Sequence, residues 1–239
     1  MNIILFHPAE VELPLSRRDP RASHILDVLR RQPGDAFDAG LINGPRGRGT
    51  LTAINPDSLT LTFAWGEPPP PLAPVHLLIG LPRPQTARDI LRDATSLGVA
   101  ALHFIRSDKG EPSYASSGLW LREEWKHCVT HGAAQAFCTR LPEVSHGHSL
   151  GDVLARLPAG AWRAALDNYE APEHLSRCGP AQATAAVLAV GAERGWSPRE
   201  RDQLRDAGFA FAHLGPRVLR TETACVAAIT LLKARLGWL

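Results

Sequence analysis

The stretch Leu214-Gly215-Pro216-Arg217-Val218-Leu219-Arg220-Thr221-Glu222-Thr223-Ala224 packs a Gly-Pro turn, two arginines and a Thr-Glu-Thr helix start into one connection. An apolar, strand-like run at 209–213 precedes it and an apolar helical run at 224–236 follows. Such a connection offers unpaired backbone N–H groups, two fixed positive charges and a carboxylate at one point. It also falls at the carboxyl end of a strand, where open α/β sheets bind ligands. The same residues would serve a plain capped helix start with solvated arginines, because Thr and Glu are ordinary first-turn residues.

A second candidate is Val190-Gly191-Ala192-Glu193-Arg194-Gly195-Trp196-Ser197, a strand followed by a glycine-bearing loop and a helix start. Glycines let a backbone approach a ligand closely. The Gly-x-x-x-Gly spacing matches neither the dinucleotide fingerprint nor the triphosphate-binding loop, so neither cofactor is expected. His127 and His131 have metal-binding spacing on one helix but lack a third ligand nearby, so no metal is expected. His146-Gly147-His148 reads as an exposed loop, and Asp167-Asn168 as a turn after a strand. Cys128, Cys138, Cys178 and Cys225 form no Cys-x-x-Cys pair, which argues against a zinc site or disulfide framework and for a reduced, cytoplasmic setting.

The elements that position these residues follow from the surrounding pattern. The segment 66–74 carries four consecutive prolines, which resist helix and sheet and mark a boundary. Before it, 50–54 and 58–65 alternate with period two around an Asn-Pro-Asp-Ser turn, and one short helix falls around 23–31. The expectation is a small β-barrel over 1–66, a proline-rich linker over 67–74 and a second domain over 75–239. In that domain 75–81 is a continuous apolar run, as in a strand buried on both faces. Thr86 is placed as the cap of the next helix, whose stripe is Ile90, Leu91, Ala94 and Leu97, ended by Gly98. A strand at 100–105 and one long helix at 119–136 follow, then strands at 161–166, 185–190 and 209–214. Ser197-Pro198-Arg199-Glu200 is a capping box with proline at the first helical position. Strands alternating with helices mean an α/β fold with a mostly parallel sheet.

The chain has 239 residues, 44% of them hydrophobic, and a net charge of +2. No apolar run is long enough to span a bilayer, and the N-terminus lacks the basic region of a signal peptide, so no membrane association is expected. The weak overall charge hides a basic excess in the first fifty residues, at Arg17, Arg18, Arg21, Arg30, Arg31, Arg46 and Arg48. Binding to phosphates is one use of such an excess and solubility another.

The Leu214–Ala224 word closely resembles the C-terminal signature of the SPOUT-class methyltransferases that act on N3 of a uridine in 16S ribosomal RNA. His24-Ile25-Leu26-Asp27-Val28-Leu29-Arg30 with Gly34-Asp35 is similar to the family's N-terminal His-x-x-x-Val-Leu-Arg and Gly-Asp. Gly80-Leu81-Pro82-Arg83, Thr95-Ser96-Leu97-Gly98-Val99, and Gln135 with Arg140-Leu141-Pro142-Glu143-Val144 continue the match along nearly the whole chain. The resemblance implies a trefoil knot in the second domain and a PUA-like RNA-binding barrel in the first. It implies S-adenosylmethionine as cofactor, held by Leu166, Gly191, Glu193, Gly195, Leu214, Gly215, Leu219 and Thr221. Arg220 and Glu222 would serve the chemistry, and Arg17, Arg18, Arg21, Arg30 and Arg83 would contact RNA. The partner would be 16S ribosomal RNA or the small ribosomal subunit. A homodimer is expected through the last helix, which is apolar almost all round.

The chain is a divergent member by this reading. Ala192, Arg194 and Trp196 replace a proline, a glycine and a phenylalanine of the cofactor loop. Arg83, Ser96 and Ile105 replace a lysine and two glutamates, while His131, Ala134, Phe137 and Cys138 replace two glutamates, a glycine and an arginine. An active methyltransferase and a homologue that binds RNA without methylating both remain open.

Overall fold

The computed structural model describes residues 2–239. The chain forms two compact units, residues 1–71 with 133–141, and residues 72–132 with 142–239.

The first unit is built on a sheet of β1 (Ile4–Phe6), β2 (Leu15–Ser16), β3 (Ala36–Leu41), β4 (Arg46–Ile54) and β5 (Ser58–Trp65), in the order β1-β3-β4-β5-β2. The period-two alternation of β4 and β5 turns Leu51, Leu59, Leu61, Phe63 and Trp65 toward one core. Phe63 stacks on Trp65 at 5.0 Å and meets Phe6 edge-on at 4.9 Å. A register shift between Leu51 and Ala53 bends β4, as a bulge does. The expected short helix is α1 (Pro20–Ser23), capped by Asp19 and continued by a wider turn over His24–Val28, which buries Ala22 and Ile25.

Residues 133–141 belong to this unit. Ile3 N–H donates to the Ala134 carbonyl, Thr139 Oγ1 to the Gly44 carbonyl, and the Arg140 guanidinium to the carbonyls of Pro69 and Pro70. The last of these bonds pins the proline run, which has few backbone donors of its own. Phe137, which stands where the resembled family has glycine, takes a left-handed φ of 56°.

The second unit carries a seven-stranded sheet in the order β10-β12-β9-β11-β6-β7-β8, and every pair in it is parallel. The strands are β6 (Ala73–Gly80), β7 (Val99–Arg106), β8 (Glu143–Ser149), β9 (Trp162–Leu166), β10 (Glu173–His174), β11 (Ala186–Val190) and β12 (Ala210–His213). Helices α2 (Pro84–Ser96), α3 (Gly118–Leu121), α4 (Trp125–Gln135), α5 (Leu150–Leu154), α6 (Pro198–Asp206) and α7 (Thr221–Leu236) connect them. All five residues of β11 are buried, as expected for a central parallel strand.

Three expectations change. Helix α2 starts at Pro84 with Arg83 as its N-cap, and Thr86 is buried, its hydroxyl accepting from Arg83 Nε at 3.1 Å. Proline's fixed φ suits the first helical position, so the helix begins three residues earlier than a Thr cap would place it. The single helix at 119–136 is two, α3 and α4, split where Glu123 takes a φ of 56°. His146-Gly147-His148 is not a loop: it lies in β8, paired with β7, and the His146 ring packs 4.8 Å from Trp120. Helix α7 begins at Thr221, at the expected Thr-Glu-Thr start, so Thr221 and Glu222 occupy its first turn.

Candidate functional site

The carboxyl ends of β9, β11 and β12 meet the start of α7 around a cavity of about 660 Å3. Three connections build it, and each is shaped by its own sequence.

The first follows β9. Asp167 is buried and its Oδ1 accepts from the N–H groups of Tyr169 and Glu170 at 2.7 and 2.8 Å. This is the local turn that a short carboxylate after a strand tends to form. Its Oδ2 accepts from Arg201 Nε at 2.7 Å, so the buried charge is paired.

The second is the glycine loop after β11. A Cβ on Gly191 would lie 2.9 Å from Gly195 Cα, and one on Gly80 would lie 2.5 Å from Ala192 N. Both positions therefore need glycine for close backbone approach. The loop closes with Gly195 N–H on the Ala192 carbonyl at 2.8 Å, and Gly195 has a φ of 65°. Fully buried Trp196 donates from its indole to the Leu166 carbonyl at 3.1 Å, tying the second connection to the first. Its larger ring fills the place of the family phenylalanine and adds this bond. Ser197 and Glu200 form the expected capping box. Buried Glu200 also accepts from Asp108 N–H at 2.9 Å, while Asp108 accepts from Ser197 and pairs with Arg199. These contacts hold the Asp108 carboxyl below its ordinary pKa and fix the 107–111 segment against α6.

The third connection is 214–220. Gly215 has a φ of 103°, and its N–H donates to His213 Nδ1 at 3.0 Å. Arg220 is the N-cap of α7 through its backbone, with its carbonyl accepting from Ala224 N–H at 2.8 Å, and its side chain makes no capping bond. The guanidinium is thus left to the cavity. Among the described residues no ion pair joins Arg220 to Glu222.

The cavity wall brings together Leu166, Gly191, Glu193, Gly195, Leu214, Leu219 and Thr221 with Arg220 and Glu222. Gly215 is not on the wall; it shapes the turn behind it. Arg83 is on the wall too, its N–H donating to Glu193 Oε1 at 3.0 Å, which bridges the β6 end to the glycine loop. Sequence reasoning missed Lys109, Glu111 and Tyr114, which arrive from the long connection after β7. It also missed Tyr169. Only the Asp167-Asn168 turn gave a signal for that side of the wall.

The arginines of the first unit separate into two groups. Arg17, Arg18 and Arg30 are exposed and make no ion pair among the described residues. Arg21 differs from them, because its guanidinium donates to Glu10, Asp19 and the Leu5 carbonyl and lies over the Phe6 ring. Arg21 is a bracket within the unit, and its hydrogen bonds hold the Glu10 and Asp19 carboxyls below the usual carboxylate range.

The model of a family described as RNA methyltransferase domain matches residues 68–233. The ribosomal RNA small subunit methyltransferase E of Treponema pallidum is 37% identical, over 98% of this chain and 91% of its own. Ribosomal RNA small subunit methyltransferase E 1 of Borreliella burgdorferi is 26% identical over 99% of both. The crystal structure of the methyltransferase E of Neisseria gonorrhoeae, bound to S-adenosyl methionine, superposes with a TM-score of 0.76, at 22% identity and 98% coverage of each chain. The match over both units, with a cavity walled by the residues of its C-terminal signature, places the chain in the RNA methyltransferase family.

Proposed function

We propose that the protein is an S-adenosylmethionine-dependent methyltransferase acting on N3 of a uridine in 16S ribosomal RNA. The observation that carries this reading is the cavity at the ends of β9, β11 and β12, with Arg220 and Glu222 on its wall. Its size lies in the range of small-molecule sites. Leu166, Val190, Ala192 and Leu214 give it apolar surface, and Gly191 lets the loop fold back closely on Gly195, where a Cβ would clash. These features fit the cofactor, which Leu166, Gly191, Glu193, Gly195, Leu214, Leu219 and Thr221 would hold. The bound cofactor supplies an electrophilic methyl group on a sulfonium.

The chain's residues do the rest. The three loops position the acceptor nitrogen for in-line displacement. Arg220 stabilises the negative charge that gathers on the uracil carbonyls as N3 loses its proton. Glu222, free of an Arg220 ion pair, takes that proton as general base. The names of the relatives support the substrate class. For the second unit we keep the trefoil knot that the resemblance implies. The exposed Arg17, Arg18 and Arg30 support RNA binding by the first unit, read as the PUA-like domain. The half-buried Ala224, Ala227 and Leu231 of α7 support a homodimer.

Mass analysis of 16S ribosomal RNA from a strain lacking the gene tests the proposal. Loss of one N3-methyluridine, restored by the parent gene, is expected. An unchanged methylation pattern would replace it with a homologue that binds RNA without methylating.

A further inference from the structure

Tyr169 is a large aromatic side chain left 82% exposed at the edge of the cavity. Its backbone is not free, because its N–H is held by buried Asp167 Oδ1 at 2.7 Å. Its ring is not free either. The Arg201 guanidinium lies 5.5 Å from the ring centroid, and Arg201 is itself buried and fixed by Asp167 Oδ2 and Glu170. One carboxylate therefore sets both the turn that carries the ring and the cation that backs it. The cost of ordering an exposed ring is met in advance by this network, which is the condition for a binding element rather than a loose surface side chain.

We propose that Tyr169 is a positioning residue, a platform on which the target nucleobase stacks as it enters the cavity. The proposal rests on the methyltransferase reading above. A base has an apolar face and a polar edge, so a planar ring at a site lip can hold the face and leave the edge to polar groups of the site. Arg220 and Glu222 are the polar groups on the same wall. The cofactor itself has Leu166, Val190, Ala192 and Leu214 to cover its apolar parts, of which Val190 and Ala192 are buried. A ring so exposed is available to a molecule arriving from solvent. The chain has only two tyrosines, and the other, Tyr114, also lines this cavity from the opposite connection.

The test compares parent protein with Tyr169→Ala, Tyr169→Leu, Tyr169→Phe and Tyr169→Trp on small ribosomal subunits stripped of the modification. Cofactor affinity is measured separately by calorimetry, and folding by the melting temperature. A parent protein that transfers no methyl group would reject the proposed function itself, and with it the platform. With an active parent, the platform requires that the Ala and Leu variants lose about tenfold to a hundredfold in kcat/KM for the subunit. Their cofactor affinity stays within about threefold, and Phe and Trp restore turnover. The Leu variant keeps the bulk but not the ring, so it separates stacking from packing. Full activity of the Ala and Leu variants would overturn the proposal. So would a tenfold loss of cofactor affinity, which would mean that the ring stacks on the cofactor instead.

Discussion

Arg220 is the residue on which the proposed chemistry depends most. Its backbone caps α7, and its side chain makes no capping bond. Arg220→Ala should leave cofactor binding within a few-fold and lower the single-turnover rate by roughly 10² to 10³, as for loss of a charge-stabilising donor. A variant methylating at the parent rate would make the arginine structural. A different residue sets the acid response. His103 lies between His76, 3.2 Å from its Nε2, and Ser145, 2.8 Å from its Nδ1. Burial first, and the neighbouring His76 second, push its pKa from 6.5 down to about 4. Across that window the unfolded chain binds a proton that the folded one refuses, so stability falls as pH drops from 6.5 toward 4. His76 and His146 are shifted the same way by burial. The melting temperature should be lower at about pH 5 than at about pH 7.5, and His103→Gln should narrow the gap. Equal pH dependence in parent and variant would remove His103 from the account.

At the scale of elements, two glycines of the cavity loops act by different physics. Gly191 sits against backbone, and a side chain there must displace Gly195. Gly191→Val should therefore distort the loop and weaken cofactor binding at least tenfold. Gly215 faces open space, with nothing within 4 Å of where a Cβ would stand, yet its φ of 103° is one that other residues rarely adopt. Gly215→Val should cost about 1–3 kcal/mol of stability through backbone strain rather than by filling the cavity. Calorimetry together with thermal melting separates the two, and a Gly215 variant of full stability that binds no cofactor would contradict this division. Helix α7 shows the same dependence on context. It buries Thr221, Cys225, Ala228, Ile229, Leu232 and Leu236 along one face, so much of its apolar character is used inside its own unit.

At the scale of the whole molecule, residues 133–141 alter how RNA binding must be tested. Ala133 packs with Ile3 and Leu5, flanked by Ala134, Phe137 and Leu141. Deleting residues 1–66 would strip this cluster of its cover and confound any loss of affinity. Replacing Arg17, Arg18 and Arg30 together by glutamine avoids that damage, since none makes an ion pair among the described residues. The triple variant should bind 16S ribosomal RNA more weakly and with a flatter salt dependence, because each lost phosphate contact removes about one counterion released. Unchanged affinity and slope would leave these arginines to solubility alone. The remaining face of α7, with Val218 and Leu219 exposed beside it, is the surface we propose for self-association. Light scattering at micromolar concentration should report about twice 25.9 kDa, and Leu231→Arg should return the chain to the single mass. A parent protein that runs as a monomer would end the dimer proposal.

Much of this was legible in the residues themselves. The parallel α/β pattern, the Ser197 capping box and the strand-to-helix connections at 191–197 and 214–220 follow from local spacing, because periodicity and caps are properties of neighbours in sequence. The start of α2 and the break before α4 were not, since a proline at the first turn and a left-handed Glu123 shift boundaries that propensity leaves open. β8 was hidden because its histidines are polar, yet β7 supplies its hydrogen bonds and Trp120 covers His146. Whether Arg21 was free or bracketed depended on Glu10, eleven positions away, and on the Leu5 carbonyl. Tyr169, Tyr114 and Lys109 reach the cavity from segments with no motif. Sequence determines which residues have the chemistry, because charge, shape and turn geometry belong to each residue and its neighbours. Only the tertiary structure decides which of them share a wall, because that rests on strand order and on contacts between residues far apart in the chain.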